Sequence, residues 1–400
     1  MSAATLPHPE TRDAADGADF SLVLGGPLYQ LLRRARLADD AMGLAHRRVI
    51  AAVLITWAPP MALAALQGGL AGAGLRMPLI EDIGFQLRFL AVAPLLVVAE
   101  MIVHRRMAPI IAQFRGRSLV RPHQAPRFAA AVSEAARRRN SLGAEAMLVA
   151  VVYAGGLLFG LRRYIGLGPG AWYALPAGGL SLAGLWFVFV SLPLLQFLFL
   201  RWYFRLFIWG LFLWRVSRLD LDLNATHPDR AGGLGFLGDS LSAFLPIAAA
   251  HGLLFAGMLA DRILFGGARL TDFKVEVLGG ALFLLLVFAG PLTLFAPRLA
   301  QVKRAGLRDY GALGQRYVRE FRQKWMSGAP AEEPLIGSGD IQSLADLGNS
   351  FASAEQMRLV PVQPPSLLAF VAAFLVPILP LVLTMMSADK LIARLVGIVF

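Results

Sequence analysis

The chain has 400 residues, 57% of them hydrophobic and 16% charged, with a mean hydropathy of +0.60. A soluble domain is about 45–50% apolar and about 25% charged, and one water-facing core cannot hide this much apolar surface, so the composition excludes an ordinary soluble protein. The lack of cysteine excludes disulfides, thiolate metal sites and a cysteine nucleophile, and the net charge of +12 is concentrated between apolar runs, a pattern of membrane orientation and not of nucleic-acid binding.

Residues 1–25 read as a disordered polar tail, with Pro7, Pro9, Asp13, Asp16 and Asp19 and no apolar stretch of the kind a signal peptide needs. Residues 26–48 read as a basic surface helix. Leu and Arg alternate at helical spacing over 27–41, which suits a helix on the anionic lipids of the inner leaflet. An ordinary basic flank that only fixes orientation explains the same pattern.

A helix needs about 20 mainly apolar residues to cross the hydrocarbon core. Seven runs qualify: 49–68, 87–104, 144–161, 174–198, 242–260, 276–296 and 366–386. The expected fold is therefore an all-α polytopic bundle of about seven spans. Segments 49–298 hold spans one to six, with cytoplasmic loops at 104–142 and 199–241. With the N-terminus inside, the cytoplasmic segments carry 29 Lys and Arg against 8 outside. That asymmetry sets the N-terminus in the cytoplasm and the C-terminus outside.

Residues 199–218 follow the fourth span without a turn signal. On one helix, Arg201, Arg205, Arg215 and Arg218 share an arc of about 140°. Snorkelling at the interface accounts for that arc, and so does a basic ring lining an anion vestibule. Residues 299–365 read as a cytoplasmic helical segment: a charged helix over 298–326, a linker over 328–334, and an acidic helix over 340–356 capped by Ser338 or Asp340. The acids of that last helix are expected to dock on the basic 104–142 segment. After the last span, 388–400 is too short to cross and suits a surface helix or an oligomer contact.

Three groups of residues carry candidate chemistry. The loop DLDLNATHPDRAGGLGFLGD (220–239) brings Asp220, Asp222, His227 and Asp229 close in sequence to Gly232, Gly233 and Gly235. Acids and His beside flexible backbone suit a divalent cation or acid–base work. The competing reading is a re-entry turn in which Thr226 or Asp229 caps a helix that Pro228 starts. The Lys and Ser/Thr of a P-loop are missing, and no metal set or cofactor is assigned.

His251 lies at the middle of the fifth apolar run. An ionisable residue there is a functional hypothesis by default, although a neutral His bonded between helices also fits. Glu100 and His104 are one turn apart near the inner end of span two. They suit an i,i+4 pair, weak cation binding or proton passage.

The stretches THPDRAGGLGFLG (226–238), GSGDIQSLADLGNSF (337–351) and MRLVPVQPPSLLAFVAAFLVPILPLVLT (357–384) resemble a family of bacterial multi-pass inner-membrane proteins with no established activity. The resemblance implies a bacterial cytoplasmic membrane and carries no site residue with it.

The leading functional expectation is a passive or proton-linked path for a small ion, in a homo-oligomer, with His251, Glu100, His104, Arg201 and Arg205 on the path. The basic inner face tilts it toward anions. The alternatives are a membrane enzyme acting on lipid headgroups through the 220–239 loop, and a sensor or assembly subunit docking through 340–356.

Overall fold

The computed structural model describes residues 21–37, 44–71, 75, 77–156, 171–175, 178–327 and 334–385. The 388–400 tail, the 328–333 part of the linker and the outer end of the 144–161 run lie outside them, as do residues 1–20.

The protein is an all-α bundle. Six helical stretches are long and apolar enough to cross a membrane: Ala45–Leu66 (α2), Ile83–Gly116 (α3), Leu182–Ser217 (α6), Leu245–Leu264 (α7), Leu270–Trp325 and Pro364–Met385 (α11). The shorter apolar helix Leu142–Gly155 (α5) completes the expected seven. Outside the spans lie Pro27–Arg34 (α1), Ala125–Arg139 (α4) and Gly339–Glu355 (α10). The long stretch Leu270–Trp325 divides into Lys274–Ala289 (α8) and Ala296–Trp325 (α9), joined by a 3-10 segment over Gly290–Phe295.

The spans carry local irregularities where their sequences demand them. α2 bends at Trp57, just before Pro59 and Pro60, which cannot donate to the preceding turn. α3 and α6 each contain one π-helical turn, Arg88–Val92 and Phe187–Ser191. Phe89 and Phe187 of these turns meet edge to face at 6.1 Å. Near them Asp82 caps α3 through the Phe85 amide (2.6 Å) and takes the Trp172 indole N–H (2.9 Å), so this end of the bundle is closed by a buried polar pin.

Arg201 to Ser217 are one helix with span four, and α3 runs on past His104 to Gly116. The 199–241 and 104–142 segments thus begin as continuations of spans before any loop starts. Arg and aromatic residues on these extensions pack against α4 through Phe114, Phe128 and Phe212.

α10 does not dock on the basic 104–142 segment. It folds back on α9 as a helical hairpin, with Ser338 as its N-cap. Asp340 accepts from Lys324 Nζ (2.7 Å) and from the Trp325 indole (3.0 Å), and its backbone carbonyl accepts from Tyr317. Chain proximity decides this: α9 ends only a short linker before α10, so its own basic end meets Asp340 first. The 27–41 helix is shorter than expected and stops at Arg34.

Candidate functional site

The most unusual feature of the bundle is a cluster of buried charges toward its basic end. Glu100 of α3 faces Arg48 of α2 and two arginines of α6. Its carboxylate lies 2.5 Å from Arg48 Nη1, 2.6 Å from Arg201 Nη1 and 2.9 Å from Arg205 Nη1. Arg201 Nε also lies 3.4 Å from Glu145 Oε1 at the start of α5. The Glu145 carboxylate in turn accepts the Leu28 amide at the N-terminus of α1 (2.7 Å), where the unpaired N–H groups of a helix favour an anion. Arg205 stacks over Trp202 at 4.8 Å.

None of these side chains is more than 11% exposed. Among the described residues three guanidinium groups face two carboxylates, an excess of one positive charge. Helical spacing explains its assembly: Arg201 and Arg205 are one turn apart and point the same way, and the single Glu100 on α3 bridges both. Glu100 is 17 residues beyond Ile83, roughly 25 Å along α3 from its start.

An N-terminal strap seals the cluster. Ser21, Leu22 and Val23 are buried, although 1–25 reads as a tail by sequence. The Ser21 hydroxyl oxygen accepts the amides of Val23 (3.1 Å) and Leu24 (2.9 Å), which leaves its own O–H for His104 Nδ1 at 2.8 Å. The Ser21 carbonyl accepts from Arg139, and the Val23 carbonyl from Arg205 Nη2 (3.4 Å). Arg139, at the end of α4, is pushed down to about 10 by burial and stays charged at neutral pH. Backbone carbonyl oxygens thus stand where the arginine donors point. Glu100 and His104 do not pair with each other, because Glu100 is turned to the arginines and His104 to the strap.

The four arginines of the α6 arc have separate fates. Arg201 and Arg205 are buried in the cluster. Arg215 lies 3.8 Å from Glu134, and the exposed Arg218 stacks on Trp214 at 4.4 Å. The arc is therefore neither a uniform ring nor a set of snorkelling side chains.

His251 sits apart from this cluster. α7 begins at Leu245, so the imidazole is less than two turns from the helix start and not at its centre. Nδ1 lies 2.7 Å from the Ile247 carbonyl, an obligate acceptor, so Nδ1 carries the proton. Nε2 then accepts the Tyr203 hydroxyl at 2.7 Å, and Phe199 covers the ring edge to face at 4.7 Å. Both nitrogens of a neutral His are satisfied between α6 and α7.

The 220–239 loop is a knot of backbone and carboxylates, and no helix begins at Pro228. Asp229 Oδ1 accepts the amides of Ala231 (2.8 Å) and Gly233 (3.1 Å), and Oδ2 that of Gly235 (2.8 Å). Burial pushes the Asp229 carboxyl up, but these three donors and the neighbouring His227 (2.9 Å) outweigh it and hold it below its ordinary value. Gly232 (φ +67°) and Gly233 (φ +99°) supply the left-handed backbone that wraps the chain around Asp229. At Gly235 a Cβ would come within 2.9 Å of the Asp229 side chain. Arg358, beyond α10, closes the knot by donating to the Asp229 carbonyl (2.8 Å).

Asp220 and Asp222 point elsewhere. Asp220 bridges Arg121 (2.7 Å) and Arg298 (2.5 Å), and Asp222 lies 3.4 Å from Arg121. Asp220, Asp222, His227 and Asp229 do not converge, and among the described residues no group of three or more His, Asp or Glu is placed to hold a metal ion.

Sequence reasoning singled out Glu100, Arg201 and Arg205 but missed Arg48, Glu145, Arg139 and Ser21. By sequence, Arg48 reads as part of the basic flank of span one and Glu145 as the start of an apolar run. One signal was available: both are charges inside, rather than beside, helices of strong hydropathy. Comparison of the chain with protein-family models, with curated proteins and with solved structures finds no match.

Proposed function

We propose that this multi-pass membrane protein conducts a small anion through its bundle. In this reading the Arg48–Arg201–Arg205 cluster is the selective site and the 21–24 strap is its closure. The resemblance of its second half to bacterial inner-membrane proteins supports a bacterial cytoplasmic membrane as the setting.

The observation that carries the reading is the cluster of three buried guanidinium groups against two carboxylates among the described residues, with arginine donors directed at strap carbonyls. Charge inside a membrane protein is costly and is retained where it serves a path or a switch. Stability alone does not call for it, since a buried ion pair can often be replaced by apolar residues without loss. Guanidinium groups suit an anion because they present fixed, planar donors and stay protonated. Glu100 and Glu145 hold the arginines in place and keep the excess charge to one, so an anion is attracted but can leave.

The test is solute flux through purified protein in liposomes under separate Cl⁻, phosphate and K⁺ gradients. The reading expects anion flux above empty liposomes, K⁺ flux at background, and at least a tenfold fall in anion flux for Arg201→Gln. Equal flux of K⁺ and anions, or no anion flux from correctly inserted protein, overturns it.

A further inference from the structure

A groove runs along the outer side of α6 where it meets the Gly290–Phe295 segment. Its apolar part has a volume of about 540 Å³, walled by Tyr203, Phe207, Gly210, Trp214, Pro291 and Leu294. That volume lies in the range of ligand sites. Two features open it. Gly210 contributes no side chain, and its Cβ position lies 3.8 Å from Pro291, an ordinary contact with room beside it. Across from it, Gly290 and Pro291 convert α8 into a narrower 3-10 segment.

At Trp214 and Leu294 the groove passes into a second cavity of about 500 Å³, walled by Ser217, Arg218, Arg298 and Gln301. The character changes at that point from hydrocarbon to donors and positive charge. Arg218 is exposed, stacks on Trp214, and among the described residues has no carboxylate partner. Arg298 gives one nitrogen to Asp220 and stays 39% exposed.

The dimensions match one leaflet. From Tyr203 to Arg218 the helix rises roughly 22 Å at 1.5 Å per residue. Half of a hydrocarbon core of about 30 Å plus one headgroup layer of about 5–7 Å gives nearly the same length. Trp214 stands at the junction, the level at which tryptophan collects in membranes.

We infer that this groove binds one anionic glycerophospholipid of the inner leaflet, its acyl chain along Gly210 and Pro291 and its phosphate on Arg218 and Arg298. Phosphate and guanidinium pair through charge-assisted, often bidentate hydrogen bonds, whereas a zwitterionic headgroup brings its own cation to the same place and gains less.

The experiment is native mass spectrometry of the full chain, extracted from vesicles of equal phosphatidylglycerol and phosphatidylcholine, with retained lipid counted by class. The expected result is phosphatidylglycerol retained at least tenfold over phosphatidylcholine. Arg218→Gln should abolish that preference. Gly210→Phe, which fills the apolar part, should abolish retention of both lipids. Should Gly210→Phe fail to fold, quenching of tryptophan fluorescence by brominated phosphatidylglycerol replaces it, and Trp214→Phe should remove the lipid-selective part of the quenching. Equal retention of the two lipids overturns the inference, and so does selectivity that survives Arg218→Gln. Retention that survives Gly210→Phe, or selective quenching that survives Trp214→Phe, overturns it as well.

Discussion

Removing the Glu100 charge is the most informative perturbation of the buried cluster. Glu100→Gln leaves Arg48, Arg201 and Arg205 with Glu145 as the one described carboxylate of the cluster, so the excess charge rises from one to two. At an effective dielectric of about 20, unit charges about 4 Å apart interact by about 4 kcal/mol. Three such contacts are lost, and repulsion among the arginines, already present, goes uncompensated. Desolvation reduces the net effect, and breaking a buried pair by removing one partner costs about 3–5 kcal/mol. Against a total stability of about 5–15 kcal/mol, that loss is large.

The charge inventory also predicts an asymmetry. Arg48→Met leaves two guanidinium groups against two carboxylates and should cost less than Glu100→Gln, although both remove one member of the same 2.5 Å contact. The assay is denaturant unfolding in detergent micelles followed by tryptophan fluorescence. Glu134→Gln serves as a surface control, since its partners Arg137, Arg138 and Arg215 are 39–77% exposed, and it should shift the midpoint far less. A loss below about 0.5 kcal/mol for Glu100→Gln, or a greater loss for Arg48→Met, would refute the electrostatic account.

Other outcomes follow from the same geometry. Asp229→Ala strands the amides of Ala231, Gly233 and Gly235 and should cost about 2–4 kcal/mol, read by the same unfolding assay. Because the folded Asp229 carboxyl titrates below its ordinary value of 3.8, its contribution is full above that pH and is lost as pH falls through the lowered folded value. The stability difference between wild type and Asp229→Ala should therefore shrink in strong acid, as pH falls through that lowered value. Tyr203→Phe leaves His251 Nε2 without its donor and should cost about 1 kcal/mol, with anion flux unchanged if His251 is a packing residue. Gly252→Ala places a Cβ 2.1 Å from the Phe374 carbonyl oxygen, a backbone atom, and should separate α7 from α11 and lower the unfolding midpoint.

The spans were legible because a run of about 20 apolar residues has one physical outcome in lipid. The continuity of α6 through Arg201 was legible too, as no glycine or proline interrupts 194–209. The partners of Glu100 were not. Helical periodicity fixes that Arg201 and Arg205 share a face, but not which neighbouring helix that face meets. The contacts span 52 and 101 residues of sequence and depend on how three helices pack. The 220–239 loop taught the opposite lesson. Its composition of acids and glycines fits either a ligand site or a self-satisfied turn, and only the positions of the Ala231, Gly233 and Gly235 amides distinguish them. The packed strap was hidden because Ser21 to Leu24 is too short to show any periodicity beside a polar tail.

The measurement closest to the central claim is anion flux from Leu22→Lys against wild type at equal insertion into liposomes. Leu22 is fully buried, and the carbonyls on either side of it, Ser21 and Val23, accept from Arg139 and Arg205, so a lysine there is expected to expel the strap by desolvation and like charge. The account predicts severalfold faster anion flux from Leu22→Lys, with Arg201→Gln in the same chain returning it to background. Flux from folded Leu22→Lys no faster than wild type, or an increase that Arg201→Gln leaves intact, would contradict it.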